Sequence, residues 1–351
     1  MSGKVLVTGG TGYIGSHTVV ELQKSGFETI IIDNLSNSDI RVVDLITRIS
    51  GKRPAFEMAD LCDIEAVKRI FDTYGDIEGV IHFAAFKAVG ESVEQPFRYY
   101  QNNLTGLINL MQCMLEQSKA NMVFSSSCTV YGQPDQLPVT EKATVKKAES
   151  PYGNTKQISE EIIGDTAGKS HMRAISLRYF NPIGAHESGL LGELPTGVPD
   201  NLVPYITQTA IGKRAKLTVF GNDYNTPDGT CIRDYIHVSD LAAAHVVALQ
   251  RLLEGENEKK HEIFNLGTGK GYSVLEAIRA FEKASGVVFN WEFSGRRPGD
   301  VEKVWADTTL ANLKLGWKAQ KGLEEMMSTA WQWEKNMDAG ILGNENNKPD
   351  M

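Results

Sequence analysis

The chain has few cysteines, no long apolar run and no excess of positive charge. Its four cysteines are far apart in 351 residues and include no Cys-x-x-Cys pair, so neither a zinc site nor a disulfide framework is predicted. No apolar run approaches the roughly 18 residues that a membrane-spanning helix needs. The net charge of −8 argues against a surface for nucleic acid. We therefore expect a metal-free cytoplasmic protein with reduced cysteines.

The remaining composition is that of an ordinary globular protein. Hydrophobic residues make up 41% and charged residues 23% of the chain. The first predicted strand begins within four residues of the N-terminus, so we expect no signal peptide before it. A chain of 351 residues is long enough for two domains.

A glycine-rich segment follows the first apolar run. Gly9, Gly12 and Gly15 predict a tight turn between a buried strand and a helix over residues 14–24. Such a turn lets backbone N–H groups at the helix N-terminus approach a pyrophosphate. Asp33 lies about 20 residues further on, where a carboxylate hydrogen-bonds the adenosine ribose hydroxyls and repels a 2′-phosphate. The sequence therefore predicts NAD, rather than NADP, as the cofactor.

Short apolar segments alternate with helical periodicity through the first half of the chain. Strands are predicted at residues 28–33, 55–58, 79–83, 121–125 and 173–179. Between them, residues 63–74 and 102–117 carry apolar side chains three and four apart, as helices do. This alternation predicts an α/β fold with a doubly wound parallel Rossmann sheet, whose ligands bind at the carboxyl ends of the strands.

The second half is richer in loops. Residues 181–235 are rich in Gly, Pro, Asn and Asp and contain one clear helical segment, at 202–212. We expect a smaller, loop-rich α/β substrate domain there. The expected organisation is an NAD-binding domain over 1–180, later segments around 237–266 that return to it, a mainly substrate-binding region over 181–338, and a flexible tail over 339–351.

Two polar segments predict a site for acid–base chemistry. Ser127 ends a run of three serines that follows the strand at 121–125. Ser150 and the proline after it are typical of a helix start. Tyr152 then lies in the first helical turn, with Lys156 one turn later on the same face.

Tyr152 needs positive charge nearby to act as a base at neutral pH. Lowering a phenol pKa from about 10 to about 7 takes roughly 4 kcal/mol, which one cation about 4 Å away supplies at an effective dielectric constant near 20. Lys156, the helix N-terminus and an oxidised nicotinamide ring all carry such charge. We expect Tyr152 to take a hydroxyl proton while the adjacent carbon gives its hydride to the cofactor, with Ser127 hydrogen-bonded to the same substrate oxygen.

Motifs along nearly the whole chain, to about residue 333, resemble the extended short-chain dehydrogenase/reductase family and, within it, the UDP-hexose 4-epimerases. They are GGTGYIGSH at 9–17, DNLSNS at 33–38, HFAAFKAVGESV at 82–93, FSSSCTVYG at 124–132, SPYGNTK at 150–156, RYFNPIGAH at 178–186, FGNDY at 220–224, RDYIHVSDLA at 233–242 and RRPGD at 296–300. The resemblance implies reversible C4 epimerisation of UDP-glucose and UDP-galactose through a 4-keto sugar, with tightly bound NAD, by a homodimer.

The resemblance also implies residue roles. NAD contacts fall on Gly9, Gly12, Tyr13, Ile14, Gly15, Asp33, Asn34, Asn37, Ser38, Asp60, Leu61, Phe83, Ala84, Lys87, Asn102, Tyr152, Lys156 and Phe180. UDP-sugar contacts fall on Ser127, Tyr152, Asn181, Asn201, Leu202, Phe220, Arg233, Arg297, Asp300 and Val304. The two arginines also make chemical sense, because a pyrophosphate is recognised by planar cationic donors.

Val304 departs from the family pattern. Many bacterial members carry a bulky tyrosine at this position, beside the substituent on C2 of the sugar. Since valine is shorter, we expect this chain to accept UDP-GlcNAc and UDP-GalNAc as well. The alternative is that neighbouring side chains fill the space.

Three other functions compete with epimerisation. A nucleotide-sugar 4,6-dehydratase needs an Asp-Glu pair where this chain has Cys128 and Thr129, so elimination of water is disfavoured. A UDP-uronate 4-epimerase stays open. A non-catalytic NAD sensor commonly loses the tyrosine or the lysine, and this chain keeps both Tyr152 and Lys156.

Overall fold

A seven-stranded parallel sheet forms the centre of the molecule, whose computed structural model describes residues 3–297 and 300–342. The strands of the described chain are β1 (Lys4–Thr8), β2 (Glu28–Asp33), β3 (Ala55–Met58), β4 (Ile77–His82), β5 (Asn121–Ser125), β6 (Arg173–Tyr179), β7 (Asn181–Ile183), β8 (Leu217–Phe220), β9 (Ile232–His237), β10 (His261–Leu266), β11 (Gly271–Ser273), β12 (Trp291–Ser294) and β13 (Lys303–Val304). The spatial order of the large sheet is β10–β6–β5–β4–β1–β2–β3. The predicted doubly wound parallel sheet is confirmed.

Helices cover both faces of this sheet. They are α1 (Tyr13–Lys24), α2 (Val42–Ser50), α3 (Ile64–Thr73), α4 (Val89–Glu94), α5 (Pro96–Tyr100), α6 (Gly106–Glu116), α7 (Pro151–Lys169), α8 (Leu202–Ala210), α9 (Val238–Leu253), α10 (Val274–Ser285), α11 (Thr309–Lys314) and α12 (Leu323–Asp338). The apolar residues of α1, α2 and α9 share one buried cluster, and those of α3 and α6 share another.

Alternation along the strands supplies both clusters. Val5 and Val7 of β1 point into the cluster beside α1, whereas Leu6 between them belongs to the cluster beside α3. On β2, Ile31 belongs to the cluster beside α1, and its neighbour Ile30 belongs to the cluster beside α3. Because both faces of β1 and β2 are covered, the interior of each of these two strands is a continuous apolar run.

The boundaries of some predicted elements differ from the structure. The strand predicted at 79–83 is Ile77–His82, and the helix predicted at 102–117 begins with the π-helical turn Gln101–Thr105 before α6. The predicted tail begins after α12, and its residues 343–351 lie outside the described residues. No helix in the described part of the chain is long and apolar enough to cross a membrane.

The second half contains more regular structure than expected. The strand β9 pairs with β7, β11 and β13 in a small sheet, and β8 pairs with β12. A third buried cluster joins residues of α8, α10 and α12. These strands are only two to six residues long, too short for alternation to identify them, and α12 was not recognised at all.

Asp234 shows why β9 was hard to find. This carboxylate is fully buried in the strand, although strands of globular cores are usually apolar. It accepts hydrogen bonds from the backbone N–H groups of Thr268, Gly269 and Ala306. Asp234 therefore ties three separate chain segments together.

Candidate active site

The glycine turn joins β1 to α1 at the carboxyl edge of the large sheet. Gly9 has a φ of +70°, and a Cβ added to it would lie 2.7 Å from the backbone nitrogen of Ala84. A Cβ on Gly15 would lie 2.2 Å from the carbonyl oxygen of Gly9. Gly12, the N-cap of α1, has no side-chain cap, so backbone donors at this helix end face the edge of the sheet. The turn thus fits a ligand with a phosphate group.

Asp33, at the end of β2, is tied to this turn. Its carboxylate accepts hydrogen bonds from Thr11 N at 3.2 Å, Leu35 N at 2.9 Å and Ser38 Oγ at 3.0 Å. A carboxylate has about four acceptor positions, so capacity for a ribose hydroxyl is left over. Asp33 therefore lies beside the glycine turn with an acceptor position left over, and its contact with the ribose stays a prediction.

Two further residues predicted for NAD lie close to Asp33 in the chain. Asn34 Nδ2 donates to Asp60 Oδ2 at 3.2 Å, which joins the ends of β2 and β3. Asn37 Oδ1 accepts a hydrogen bond from Thr196 Oγ1 at 2.6 Å. The loop after β2 is thus bonded to a segment from the second half of the chain.

Ser127, Tyr152 and Lys156 lie beyond the end of β5. Ser127 begins a 3₁₀ turn, Cys128–Tyr131, and its Oγ accepts from Thr129 N at 3.2 Å. As predicted, Ser150 caps α7, since its Oγ accepts from Gly153 N at 3.2 Å. Tyr152 and Lys156 are only 7% and 4% exposed.

The ammonium of Lys156 is enclosed by protein groups. Its Nζ donates to the carbonyl oxygen of Ser125 at 2.7 Å and lies 4.7 Å from the Phe124 ring centroid and 6.0 Å from that of Tyr152. Burial lowers the pKa of Lys156 to about 8, although Glu160 acts in the opposite direction.

Tyr152 is not ionised by the protein alone. Burial raises its pKa above the ordinary value of 10, Tyr179 raises it further, and the hydrogen bond with Ser127 lowers it by less. Desolvation is the first cause of the raised pKa, and the ammonium of Lys156 is hydrogen-bonded to the Ser125 carbonyl. The lowering of this pKa expected from Lys156, the helix N-terminus and an oxidised nicotinamide ring stays a prediction for the protein with NAD bound.

Other residues predicted for NAD lie along the same edge. Phe83 follows β4 and packs on His245, with ring centroids 4.6 Å apart. Phe180 follows β6 and is buried. Asn102 lies in the π-helical turn, and Lys87 Nζ lies 5.9 Å above the Tyr13 ring. Leu61 is buried in the cluster beside α3, which makes its side chain part of the core.

The residues predicted for the UDP-sugar form a second group. Asp300 Oδ1 lies 2.9 Å from Arg297 Nη2 and 3.5 Å from Arg233 Nη2. The Arg297 guanidinium lies 5.8 Å from the centroid of the Phe220 ring. Val304 pairs with Arg233 across β13 and β9. Phe220 and Arg233, from earlier parts of the sequence, are thereby brought close to Arg297, Asp300 and Val304.

Three more predicted substrate residues are placed by β7 and α8. Asn181 begins β7 and Asn201 is the N-cap of α8. Leu202, the next residue, packs against the core cluster of α8, α10 and α12. The structure therefore gives the Leu202 side chain a packing role.

Two polar residues at the site were missed. Glu193 Oε1 accepts from Lys87 Nζ at 3.0 Å and from Asn201 Nδ2 at 2.6 Å. Asn103 Oδ1 accepts from Phe86 N, and its Nδ2 donates to Thr155 Oγ1. No local sequence pattern predicts either residue, because their hydrogen-bond partners are not neighbours in the sequence.

The parallel sheet, the glycine turn with Asp33, and the serine beside a Tyr-x-x-x-Lys helix define an extended short-chain dehydrogenase/reductase. A family model described as GDP-mannose 4,6 dehydratase matches residues 6–330. Within this class, the chain belongs to the UDP-glucose 4-epimerase family.

Sequence relatives and solved structures agree on this family. The UDP-glucose 4-epimerase of Haemophilus influenzae is 50% identical over 96% of this chain and 98% of its own length. That of Bacillus subtilis is 51% identical over 95% and 97%. The Stenotrophomonas maltophilia enzyme with bound NAD and formylated UDP-arabinopyranose superposes with a TM-score of 0.92 at 46% identity, covering 96% of this chain and 99% of that one. The Bifidobacterium longum enzyme with NAD⁺ and UDP has a TM-score of 0.92 at 43% identity, with the same coverage.

Proposed function

We propose that this chain catalyses the reversible C4 epimerisation of UDP-glucose and UDP-galactose with tightly bound NAD. The observation that carries the proposal is the burial of Tyr152, Lys156 and Ser127 together at the edge of the sheet where the glycine turn lies. When bound, NAD accepts the hydride from C4 of the sugar and returns it to the other face of the 4-keto intermediate.

Tyr152 handles the proton of the sugar 4-hydroxyl. As a phenolate, the form that the positive charges of Lys156 and of a bound oxidised nicotinamide ring would favour, its oxygen takes this proton during oxidation and returns it during reduction, while Ser127 Oγ hydrogen-bonds the same substrate oxygen. Because burial raises the pKa of Tyr152, the phenol holds the proton firmly between the two steps. Lys156 contributes positive charge from a site that bulk water does not reach.

The residues predicted for NAD are proposed to hold it in two ways. The backbone of the glycine turn accepts the pyrophosphate, and the carboxylate of Asp33 accepts the ribose hydroxyls. The remaining members, from Asn34 to Phe180, line the strand ends between these positions and Tyr152. Among the UDP-sugar residues, Arg233 and Arg297 are proposed to bind the substrate pyrophosphate, with Asp300 orienting both guanidiniums.

The test is turnover of UDP-galactose by the purified protein without added NAD. We expect UDP-glucose as the product, since NAD remains bound through purification. Tyr152→Phe is expected to lower kcat at least about 100-fold, the size of a general acid–base contribution. Tyr131→Phe is the matched control, because it removes a hydroxyl that bonds Asn265 instead. A 4-keto-6-deoxy product, or no product after NAD is added, would contradict the proposal.

Val304 supports a second set of substrates, UDP-GlcNAc and UDP-GalNAc. The Val304 side chain packs in a buried cluster with Tyr131, Val139 and Phe180. Cys128 packs against the same cluster at a position where alanine is usual in the family. Because valine is shorter than the tyrosine of the family pattern, we propose that the bound sugar has room for an N-acetyl group on C2 beside Val304.

Replacing this valine tests the proposed substrate range. Val304→Tyr is expected to abolish turnover of UDP-GalNAc and to change kcat for UDP-galactose less than about threefold, because only the former substrate needs the space. The comparison is made by separating the two C4 epimers of each substrate. Equal loss of both activities, or a natural chain that leaves UDP-GalNAc unchanged, would contradict the proposal.

We also propose that the enzyme is a cytoplasmic homodimer. Val89, Val93 and Phe97, on α4 and α5, are exposed apolar side chains on adjoining helices, and such patches are typical of interfaces. The four cysteines are free, which suits a reducing compartment. The expected division into an NAD-binding domain over 1–180, with later segments around 237–266 returning to it, and a mainly UDP-sugar-binding region over 181–338 is retained as a proposal. The position of β10 at the edge of the large sheet supports the return of the later segments.

A further inference from the structure

Glu193 connects the two groups of residues proposed to bind ligands. Its Oε1 atom accepts one hydrogen bond from Lys87 Nζ, at 3.0 Å, and another from Asn201 Nδ2, at 2.6 Å. Lys87 belongs to the residues proposed for NAD, and Asn201 to those proposed for the UDP-sugar. A single carboxylate oxygen therefore holds one side chain from each group.

The surrounding fold keeps this carboxylate in place. The Glu193 side chain is only 12% exposed, and its backbone carbonyl accepts a hydrogen bond from Trp333 Nε1 at 2.8 Å. Three residues further on, Thr196 Oγ1 donates to Asn37 Oδ1, another residue proposed for NAD. The segment that carries Glu193 is thus bonded both to α12 and to the loop after β2.

Both partners of Glu193 keep groups free for a ligand. An ammonium has three donors, and the bond to Glu193 uses one of those on Lys87. A carboxamide has two N–H donors and an acceptor oxygen, and the bond to Glu193 uses one donor of Asn201. Each side chain can therefore bind Glu193 and a ligand at the same time.

We propose that Glu193 is a positioning residue through which NAD and the nucleotide sugar strengthen each other's binding; this rests on the proposed function. A ligand that orders Lys87 also orders the Glu193 carboxylate, and this lowers the cost of ordering Asn201 for the second ligand. The coupling is reciprocal, so each ligand raises the affinity for the other by the same factor. NAD is consequently held most firmly while a nucleotide sugar occupies the site.

The experiment measures release of NAD from the purified holoenzyme. Prebound NAD is displaced by excess etheno-NAD, with and without saturating UDP, and the fluorescence change gives the rate. UDP is expected to slow the release at least about fivefold in the natural chain, the lower end of typical couplings. In Glu193→Ala the slowing is expected to fall below twofold.

Two further variants keep the result interpretable. Glu193→Gln keeps an oxygen acceptor for Asn201 but loses the charge that binds Lys87, so its slowing should lie between those of the natural chain and Glu193→Ala. Glu187→Gln, at an exposed acid of the same segment, should behave as the natural chain does. Should Glu193→Ala fail to fold, the slowing of NAD release by UDP in Glu193→Gln tests the proposal by itself.

The outcomes separate this inference from the proposed function. Equal slowing by UDP in the natural chain and in both Glu193 variants would overturn the inference, as would no slowing in the natural chain. Neither result affects turnover of UDP-galactose, which is measured in parallel on the natural chain. Absence of that turnover would instead overturn the proposed function, whatever UDP does to the release of NAD.

Discussion

Lys156, which is proposed to act in catalysis, lies in an environment that is unfavourable for its charge. Its ammonium has one carbonyl partner, the Ser125 oxygen, and otherwise faces the rings of Phe124 and Tyr152. A buried ammonium loses hydration that such partners replace only in part, which explains the lowered pKa of about 8. Burying the Lys156 ammonium near Tyr152 therefore lowers the free energy of unfolding.

Replacing Lys156 should reveal this cost through its dependence on pH. Below about pH 8 the lysine is protonated in both the folded and the unfolded chain, and the whole cost of burial is present, on the order of 3 kcal/mol. Between pH 8 and 10.5 the unfolded chain binds more protons than the folded one, so the contribution of Lys156 to stability rises with pH. Lys156→Met is therefore expected to be more stable than the natural chain at pH 7, by about 2 kcal/mol, and this advantage should shrink toward pH 10.

The measurement is urea unfolding of the NAD-free proteins across this pH range. The same substitution at Lys169, an exposed residue at the end of the same helix, is the control. An advantage that stays constant or grows with pH would contradict the prediction. Lys156→Met should also lose epimerase activity, which separates stability from function at one residue.

At the scale of elements, the glycine turn fixes α1 against the end of β1. Gly15 lies within the helix, where alanine would normally be preferred. The backbone of Gly9 approaches it so closely that a Cβ would lie 2.2 Å from the Gly9 carbonyl oxygen. Close packing of turn and helix therefore outweighs helix propensity at this position.

Gly15→Ala should destabilise the protein and weaken the binding of NAD. The new methyl group meets backbone atoms, which cannot move aside as a side chain can, so a loss of about 1–3 kcal/mol is expected. Gly168→Ala is the matched control, because a Cβ there meets nothing within 4 Å and the position is exposed on α7. That control should gain about 0.5–1 kcal/mol. Thermal unfolding and NAD titration are measured for Gly15→Ala and Gly168→Ala. Equal destabilisation of the two variants would contradict the prediction.

At the scale of the whole molecule, no element among residues 3–297 and 300–342 covers the apolar side chains of Val89, Val93 and Phe97 on α4 and α5. Phe97 is 88% exposed, and Val93 nearby is 61% exposed. Both α4 and α5 pack against α7, the helix that carries Tyr152. A second copy docked on this surface would therefore lie behind the helix that carries the catalytic tyrosine.

Phe97→Asp should convert the proposed dimer into a monomer. A carboxylate buried between two subunits would lose its hydration without a partner. Sedimentation velocity is expected to give the mass of two chains for the natural protein and of one chain for the variant. Val288→Asp is the control, because Val288 is 83% exposed elsewhere on the surface. A natural chain that sediments as a monomer would exclude the proposed dimer.

Features that depend on neighbouring residues could be read from the sequence. The strand, glycine turn, helix and Asp33 follow each other within a short stretch of chain, and the structure has them in that order. The cap at Ser150 and the spacing of Tyr152 and Lys156 were also predicted, because they depend on one helical turn. Periodicity and local hydrogen bonding are encoded in contiguous residues, so the sequence alone determined the sheet and the catalytic helix.

Only the tertiary structure decided which distant residues are hydrogen-bonded to each other and how burial changes the pKa values of the site. Glu193 and Lys87 are 106 residues apart in the chain, and no local pattern links them. The raised pKa of Tyr152 depends first on burial by the rest of the fold. Desolvation and long-range pairing exist only once distant segments pack together, and for that reason the short strands around Asp234 and the contacts of Glu193 were absent from the sequence analysis.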